Sequence, residues 1–138
     1  MLFKTTNDSA IILIRLMVGV IFLSEGIQKF ILSSQLGAGR FEKIGLPNPE
    51  FLAPFVASFE ILCGTLVLIG FLTRLACIPL ILIMLTALIT TKFSILMNDG
   101  VWDMLHESRT DLSMLLGNLF LLVKGAGNWS VDKKIFND

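Results

Sequence analysis

The stretch from residue 61 to residue 91 constrains this chain more than any other feature, because Arg74 is its only charged residue. A helix at the surface of a soluble protein presents polar side chains at every turn, and this stretch has no such face. Charged residues make up 16% of the 138-residue chain, against about 25% in a soluble domain. A soluble protein of this size buries only about two-thirds of its unfolded surface, which is too little for so many apolar residues. The sequence therefore predicts an integral membrane protein.

Four apolar runs have the pattern of membrane-crossing helices. They cover residues 10–32, 51–72, 75–97 and 109–125, and the last is short, with charged residues at both ends. A helical span takes roughly 17–25 residues. Barrel strands would alternate apolar and polar residues, which these runs do not. We therefore expect an all-α fold, in which residues 1–138 form one domain, an integral membrane four-helix bundle.

The connections between these runs predict which ends lie together. Residues 33–50 are expected to form a short interfacial helix or re-entrant turn that ends at Pro47, and residues 70–74 a tight turn. Residues 92–109 make a second long connection on the same face of the membrane. Basic residues divide five to five between the two faces, or five to four without Lys29, which favours cytoplasmic termini.

Ionisable residues within the first predicted helix form a stripe with two glycines. At 100° per residue, a line about 40° wide holds Arg15, Gly19, Phe22, Gly26 and Lys29. Glu25 lies beside this stripe, four residues before Lys29, in the order that favours a local ion pair. Charges are costly in lipid and glycines allow close helix approach, so we expect this face to point into the bundle.

The second predicted helix repeats the same spacing 45 residues further on. The corresponding positions are Glu60, Gly64, Val67, Phe71 and Arg74. Glu60 is the deepest charge in the predicted bundle. Its candidate cationic partners are Arg15 and Lys29, which approach it from opposite sides with an axial offset of roughly 10–12 Å. In the fourth run, Asn118 is expected to hydrogen-bond across helices.

Two interpretations of these polar residues remain open. In the first, a structural network fixes the helix pairing; its members are Arg15, Glu25, Lys29, Glu60, Arg74 and Asn118. In the second, Glu60 lines a pocket with Arg15 and Phe22 that holds a polar or redox-active molecule. Ionisable residues inside a membrane are often functional, which keeps the second interpretation in play.

Motifs for catalysis, metal binding and nucleic-acid binding are missing from the sequence. His106 is the only histidine, and its acidic neighbours are expected to form a solvated loop, so we predict neither a catalytic residue nor a metal ligand. Cys63 and Cys77 are expected to be small buried hydrophobic residues rather than a redox pair. Basic and acidic residues number 11 each, which argues against nucleic-acid binding.

Three segments of the chain resemble the DoxX family of small membrane proteins. They are RLMVGVIFLSEGIQKF at residues 15–30, IGLPNPEFLAPFVASFEILCGTLVLIGFLTRLA at residues 44–76, and GAGNWSVDKK at residues 125–134. The last segment is similar to the family's Gly-x-Gly-x-x-Ser-x-Asp ending, with Asp132 at the Asp position and Ala126 where a proline is common. The resemblance covers roughly residues 10–134.

The resemblance implies a four-helix protein of the bacterial inner membrane that is tied to redox systems. Our leading expectation is a non-catalytic subunit or scaffold of a membrane complex that handles quinol, thiols or oxidative stress. The alternatives are a quinone- or lipid-binding protein with a pocket around Glu60, and a small transporter or channel. Quinone is the one candidate cofactor. The expected partners are the lipid bilayer, a redox enzyme and further copies of the chain.

Overall fold

A computed structural model describes residues 8–136, and helices are the only regular secondary structure in this range. Helices α1 to α4 are Ile11–Ile31, Ala38–Lys43, Pro49–Ile69 and Thr73–Ala87. A π-helical turn, Leu88–Lys92, continues α4 directly into α5, Phe93–Asp99. Helices α6 to α8 are Val101–Glu107, Arg109–Lys124 and Val131–Phe136. The predicted all-α class is confirmed for the described residues.

Three of these elements are long and apolar enough to cross a membrane. They are Ile11–Ile31, Pro49–Ile69 and the continuous helix Thr73–Asp99. Helix α7, the predicted fourth span, has 16 residues, so at 1.5 Å per residue it is about 24 Å long. The hydrocarbon core of a bilayer is about 30 Å thick. The described residues therefore supply three candidate spans and one shorter helix packed beside them.

The connections differ in part from those that the sequence predicts. The expected short helix between the first two spans is present as α2, which ends before Pro47. The expected tight turn is also present, since Gly70 ends α3 with a left-handed backbone and α4 begins at Thr73. The third predicted helix, 75–97, is present and extends through the π turn to Asp99. Most of the predicted connection over residues 92–109 is therefore helical, since α6 follows at Val101.

Glycines set the packing of α1 against α3. A Cβ atom at Gly19 would lie 3.0 Å from the carbonyl oxygen of Gly64, and one at Gly26 would lie 2.8 Å from that of Ala57. Moving seven residues forward along α1 therefore moves seven residues back along α3, so the two helices are antiparallel. Their backbones approach this closely only because the side chains at the contact are hydrogens.

Helix α7 packs mainly on α4 and also on α1, which joins the two antiparallel pairs α1–α3 and α4–α7 into one bundle. The interior is filled by apolar side chains from all four helices, among them Val18, Phe22, Val67, Leu80 and Leu121. The outward faces carry exposed apolar side chains, which include Leu13, Leu62, Leu82 and Leu116. An apolar outer surface is what a bilayer solvates, so these faces contact lipid.

We expect Gly64→Ala to destabilise the bundle more than Gly117→Ala. The new methyl group at position 64 would lie 2.9 Å from the backbone nitrogen of Leu23, whereas at position 117 its nearest neighbours are ends of the Val18 and Met17 side chains. Overpacking against an immobile backbone costs about 1–3 kcal/mol. Thermal unfolding in detergent micelles measures both variants, and equal stability of the two would contradict this account of the α1–α3 contact.

Candidate functional site

A cavity of about 490 Å³ lies between the α1–α3 pair and the α4–α7 pair, at the end of the bundle remote from α8. Apolar side chains form most of its lining, to which Phe41 of α2 and the flanking residues Leu36 and Ile44 contribute. Phe55 of α3 and Leu82 of α4 also line it, although they are 49% and 60% exposed on the outer surface. The cavity therefore reaches the lipid-facing surface between α3 and α4.

An ion pair between α1 and α3 lies at this cavity. Lys29 Nζ is 2.8 Å from Glu60 Oε1, and the two side chains are 15% and 2% exposed. Lys29 is thus within hydrogen-bond distance of Oε1. Glu25 lines the same part of the cavity. A carboxylate has about four acceptor positions, so one ammonium leaves others on Glu60 available.

A second ion pair joins the other two helices at the same cavity. Lys92 Nζ, at the end of the π-helical turn, lies 3.7 Å from Asp111 Oδ2 in the first turn of α7. The buried residues of α4 recur every three or four positions and include Thr73, Cys77, Leu80 and Met84. Seven residues after Met84, the same spacing would bury position 91. The π turn adds one residue, and Lys92 is buried instead. Such turns are frequent at functional sites.

Arg15 lies at the opposite end of the bundle and is only 2% exposed. Its guanidinium donates to the carbonyl oxygens of Val67 and Leu68 at distances of 3.0 and 2.7 Å. It also donates to the carbonyls of Ala126 and Trp129 in the loop that follows α7. Backbone carbonyls from the end of one helix and from a distant loop thus satisfy this buried cation.

Asp132 completes the same junction by capping α4. Its carboxylate accepts hydrogen bonds from the backbone N–H groups of Leu72 at 2.7 Å and Thr73 at 2.9 Å. Its own backbone N–H donates to the carbonyl of Gly70 at 2.8 Å. A Cβ atom at Gly70 would overlap the Ser130 side chain, so a larger residue would push the loop away. We call Arg15, Gly70, Asp132 and the 125–130 loop the terminal junction.

Comparison with known proteins agrees with this architecture. The model of the DoxX family matches residues 10–92, which is more than half of the chain. The chain belongs to the DoxX family. The resemblance deduced from the sequence motifs is thereby confirmed, and the DoxX match covers α1, α3 and the α4 helix through the end of its π turn.

Two curated relatives extend the similarity over nearly the whole chain. One is "Uncharacterized membrane protein Rv3486" of Mycobacterium tuberculosis, 52% identical over 140 residues that cover 97% of this chain and 86% of the relative. The other is "Putative oxidoreductase CatD" of Bacillus subtilis strain 168, 30% identical over 126 residues that cover 91% of this chain and 86% of the relative. No solved structure matches this DoxX chain.

The structure separates the two cations that the sequence offered as partners for Glu60. Lys29 contacts Glu60, and Arg15 belongs to the terminal junction. The α1–α3 register places Glu60 opposite residues 23–26, between the two cations. Side chains on a helix lean toward its N-terminus, so Lys29 leans toward Glu60 while Arg15 leans away from it. A pocket lined jointly by Arg15 and Glu60 is therefore wrong for this DoxX protein.

Other predicted polar residues also have local roles. Arg74 Nη2 donates to the carbonyl oxygen of Val123 at 3.0 Å, near the terminal junction. Asn118 is fully buried, but its amide donates to Met114 in its own helix at 2.8 Å. The expected hydrogen bond of Asn118 to another helix is therefore wrong for the described residues. Its Oδ1 has no hydrogen-bond partner there.

Sequence reasoning did not select the cavity residues Lys92 and Asp111 as site residues. It placed Lys92 within the predicted third helix, where the second long connection also begins, and Asp111 in the first turn of the predicted fourth helix. The signal that could have singled them out is that both are charged residues inside the predicted helices 75–97 and 109–125. The described cysteines are free and buried, and no group of three His, Cys, Asp or Glu residues there could hold a metal.

We expect Asp132→Ala to destabilise this DoxX protein by about 1–2 kcal/mol, the usual effect of losing a helix cap. The loss is larger still if the buried N–H groups of Leu72 and Thr73 find no other acceptor. Asp103→Ala is the matched control, because that carboxylate is exposed in the first turn of α6. Thermal unfolding followed by circular dichroism makes the comparison, and an unchanged midpoint for Asp132→Ala would refute the capping role.

Proposed function

We propose that this DoxX-family membrane protein is a ligand-holding subunit of a membrane redox complex, with a quinone or quinol bound in the cavity. The observation that carries the proposal is the pairing of two buried or half-buried ion pairs with an otherwise largely apolar lining. Ligand pockets combine an apolar wall with a few placed polar groups in this way, and about 490 Å³ falls within their usual range.

The donor and acceptor groups of the cavity suit a quinone and its reduced form. An ammonium donates hydrogen bonds to a quinone carbonyl, and a carboxylate accepts them from a quinol hydroxyl. Lys29 and Glu60 supply one group of each kind, and the acceptor positions that one ammonium leaves available on the Glu60 carboxylate favour a ligand donor there. A bound quinone would supply electron transfer, while the chain's own residues bind and orient it.

The route into the cavity also supports a lipid-soluble ligand. Phe55 and Leu82 border the cavity on the outer surface of two candidate spans, where the surroundings are hydrocarbon. A quinone with an isoprenoid tail could place its ring between the helix pairs and leave the tail in the bilayer. The oxidoreductase name of the Bacillus subtilis relative agrees with a redox setting for this cavity.

A purely structural scaffold is the second candidate, and the terminal junction favours it. There, the polar groups of Arg15 and Asp132 are used by backbone partners and have a stabilising role without any ligand. If the Lys29–Glu60 pair has the same role, the protein binds its complex through its outer faces only. A third candidate, a small transporter or channel, requires the cavity to open alternately to both sides of the membrane.

The topology that goes with this proposal has four spans across a bacterial inner membrane, with both termini on its cytoplasmic side. Helix α7 packs along α4 and α1, which shelters its short apolar run, and Arg109 and Lys124 at its ends can reach the interfaces. With four spans, α2 and α6 lie together on the side of the membrane away from the cytoplasm. The cavity then faces that side.

Single cysteines test this topology in a Cys63→Ala/Cys77→Ala background. Ser34→Cys and His106→Cys should react with a membrane-impermeant maleimide in intact cells, whereas Trp129→Cys should react only after permeabilisation. All three positions are exposed. Labelling of all three from one side would show that α7 does not cross, and the reverse pattern would invert the orientation.

Variants of the Lys29–Glu60 pair distinguish a ligand-binding protein from a purely structural scaffold. We expect Glu60→Gln to lower stability, because it leaves a largely buried ammonium without its counter-ion. Adding Lys29→Met removes that charge and should restore the unfolding midpoint to within a few degrees. The double variant should still bind decylubiquinone at least tenfold more weakly than the wild type, as measured by calorimetry.

The control is Lys43→Met/Glu50→Gln, which removes two exposed charges outside the cavity. A stable double variant that binds decylubiquinone as tightly as the wild type would disprove the pocket and leave the scaffold. Wild-type protein that binds no quinone but moves solute in vesicles would favour the transporter. Mass spectrometry of complexes purified from native membranes would identify a redox-enzyme partner or a homo-oligomer.

A further inference from the structure

Each helix pair of the bundle contributes one ion pair to the cavity. Lys29 and Glu60 join α1 to α3, and Lys92 and Asp111 join the π-helical turn to α7. The cavity lies between these helix pairs, and all four side chains line it. Any molecule that fills the cavity is thus bordered by a donor and an acceptor on each of two sides.

The second ion pair keeps donors and acceptors that could form hydrogen bonds with a ligand. The distance of 3.7 Å between Lys92 Nζ and Asp111 Oδ2 exceeds that of a hydrogen bond. An ammonium has three donors and a carboxylate about four acceptor positions, so a single loose contact leaves most of them available. The side chains are only 11% and 22% exposed, so bulk water has little access to them.

Three threonines that line this side of the cavity already use their hydroxyl donors. Thr86, Thr90 and Thr91 donate their hydroxyl hydrogens to the carbonyl oxygens four residues earlier, at 2.9, 2.7 and 2.6 Å. Their own helix thus takes up their donors. Lys92 and Asp111 are therefore the charged groups that this wall presents to a ligand.

We infer that Lys92 and Asp111 form a second polar subsite, so that the cavity takes a ligand with two oxygen functions on opposite sides of an apolar ring. A ligand with one polar group would leave one ion pair facing hydrocarbon, and an ion pair that loses water without gaining hydrogen bonds is unfavourable. A ligand with two opposed oxygens satisfies both pairs. This inference rests on the proposed function only in requiring that the cavity binds an apolar ring compound.

The test compares two probes that differ only in their second oxygen. 2-Decylhydroquinone has two opposed ring hydroxyls, and 2-decylphenol lacks one of them. We expect wild-type protein in micelles to bind 2-decylhydroquinone at least tenfold more tightly, the effect of one charge-assisted hydrogen bond. In Lys92→Met/Asp111→Asn this preference should fall below threefold, while the affinity for 2-decylphenol stays within twofold of wild type.

Lys43→Met/Asp103→Asn is the matched control, since it removes one exposed cation and one exposed carboxylate outside the cavity. It should keep the full preference. A double cavity variant that retains the tenfold preference, or wild-type protein that binds both probes equally, overturns the second subsite while the pocket stands. Wild-type protein that binds neither probe overturns the proposed function itself.

A measurement on wild-type protein covers the case in which the double cavity variant fails to fold. A ring-azido derivative of decylubiquinone, activated by light, should label peptides from both helix pairs, including the segment around Lys92 and Asp111. Labelling confined to α1 and α3 would exclude the second subsite. Excess decylubiquinol should suppress the labelling on both sides.

Discussion

The close approach of α1 and α3 determines where the buried charges of these two helices lie. Gly19, Gly26 and Gly64 let the two backbones meet, and the resulting register fixes which residues face each other. Lipid offers no hydrophobic force to hold helices together, so packing and internal polar contacts have to do so. The same register puts Lys29 within reach of Glu60 and turns Arg15 toward the far end. One steric contact thus separates the interior polar groups into two sets.

These two sets differ in how fully they are satisfied. In the terminal junction, Arg15 and Asp132 exchange hydrogen bonds with backbone groups of three separate segments, which is the pattern of a structural device. At the cavity, the 3.7 Å contact between Lys92 and Asp111 leaves donor and acceptor positions unused. Buried polar groups are rarely left this way without a reason. This difference supports the proposed ligand at the cavity.

The sequence predicted much of the fold, because runs without polar faces allow few structures in lipid. It also predicted the inward face of α1, since Arg15 and Gly19 share one side of a helix and both are buried. The sequence did not show which cation pairs with Glu60. Axial distances alone do not account for the tilt of side chains toward the N-terminus of their helix. Nor could the sequence place Lys92, whose burial depends on a π turn that periodicity does not reveal.

The terminal junction has a consequence for how the chain is made. Arg15 leaves the ribosome more than a hundred residues before the carbonyls of Ala126 and Trp129 and the cap from Asp132. Until then, a guanidinium and the first amides of α4 lack these acceptors at the insertion machinery. The bundle therefore locks only after this segment has been made, and chains cut short before it would remain open to membrane proteases.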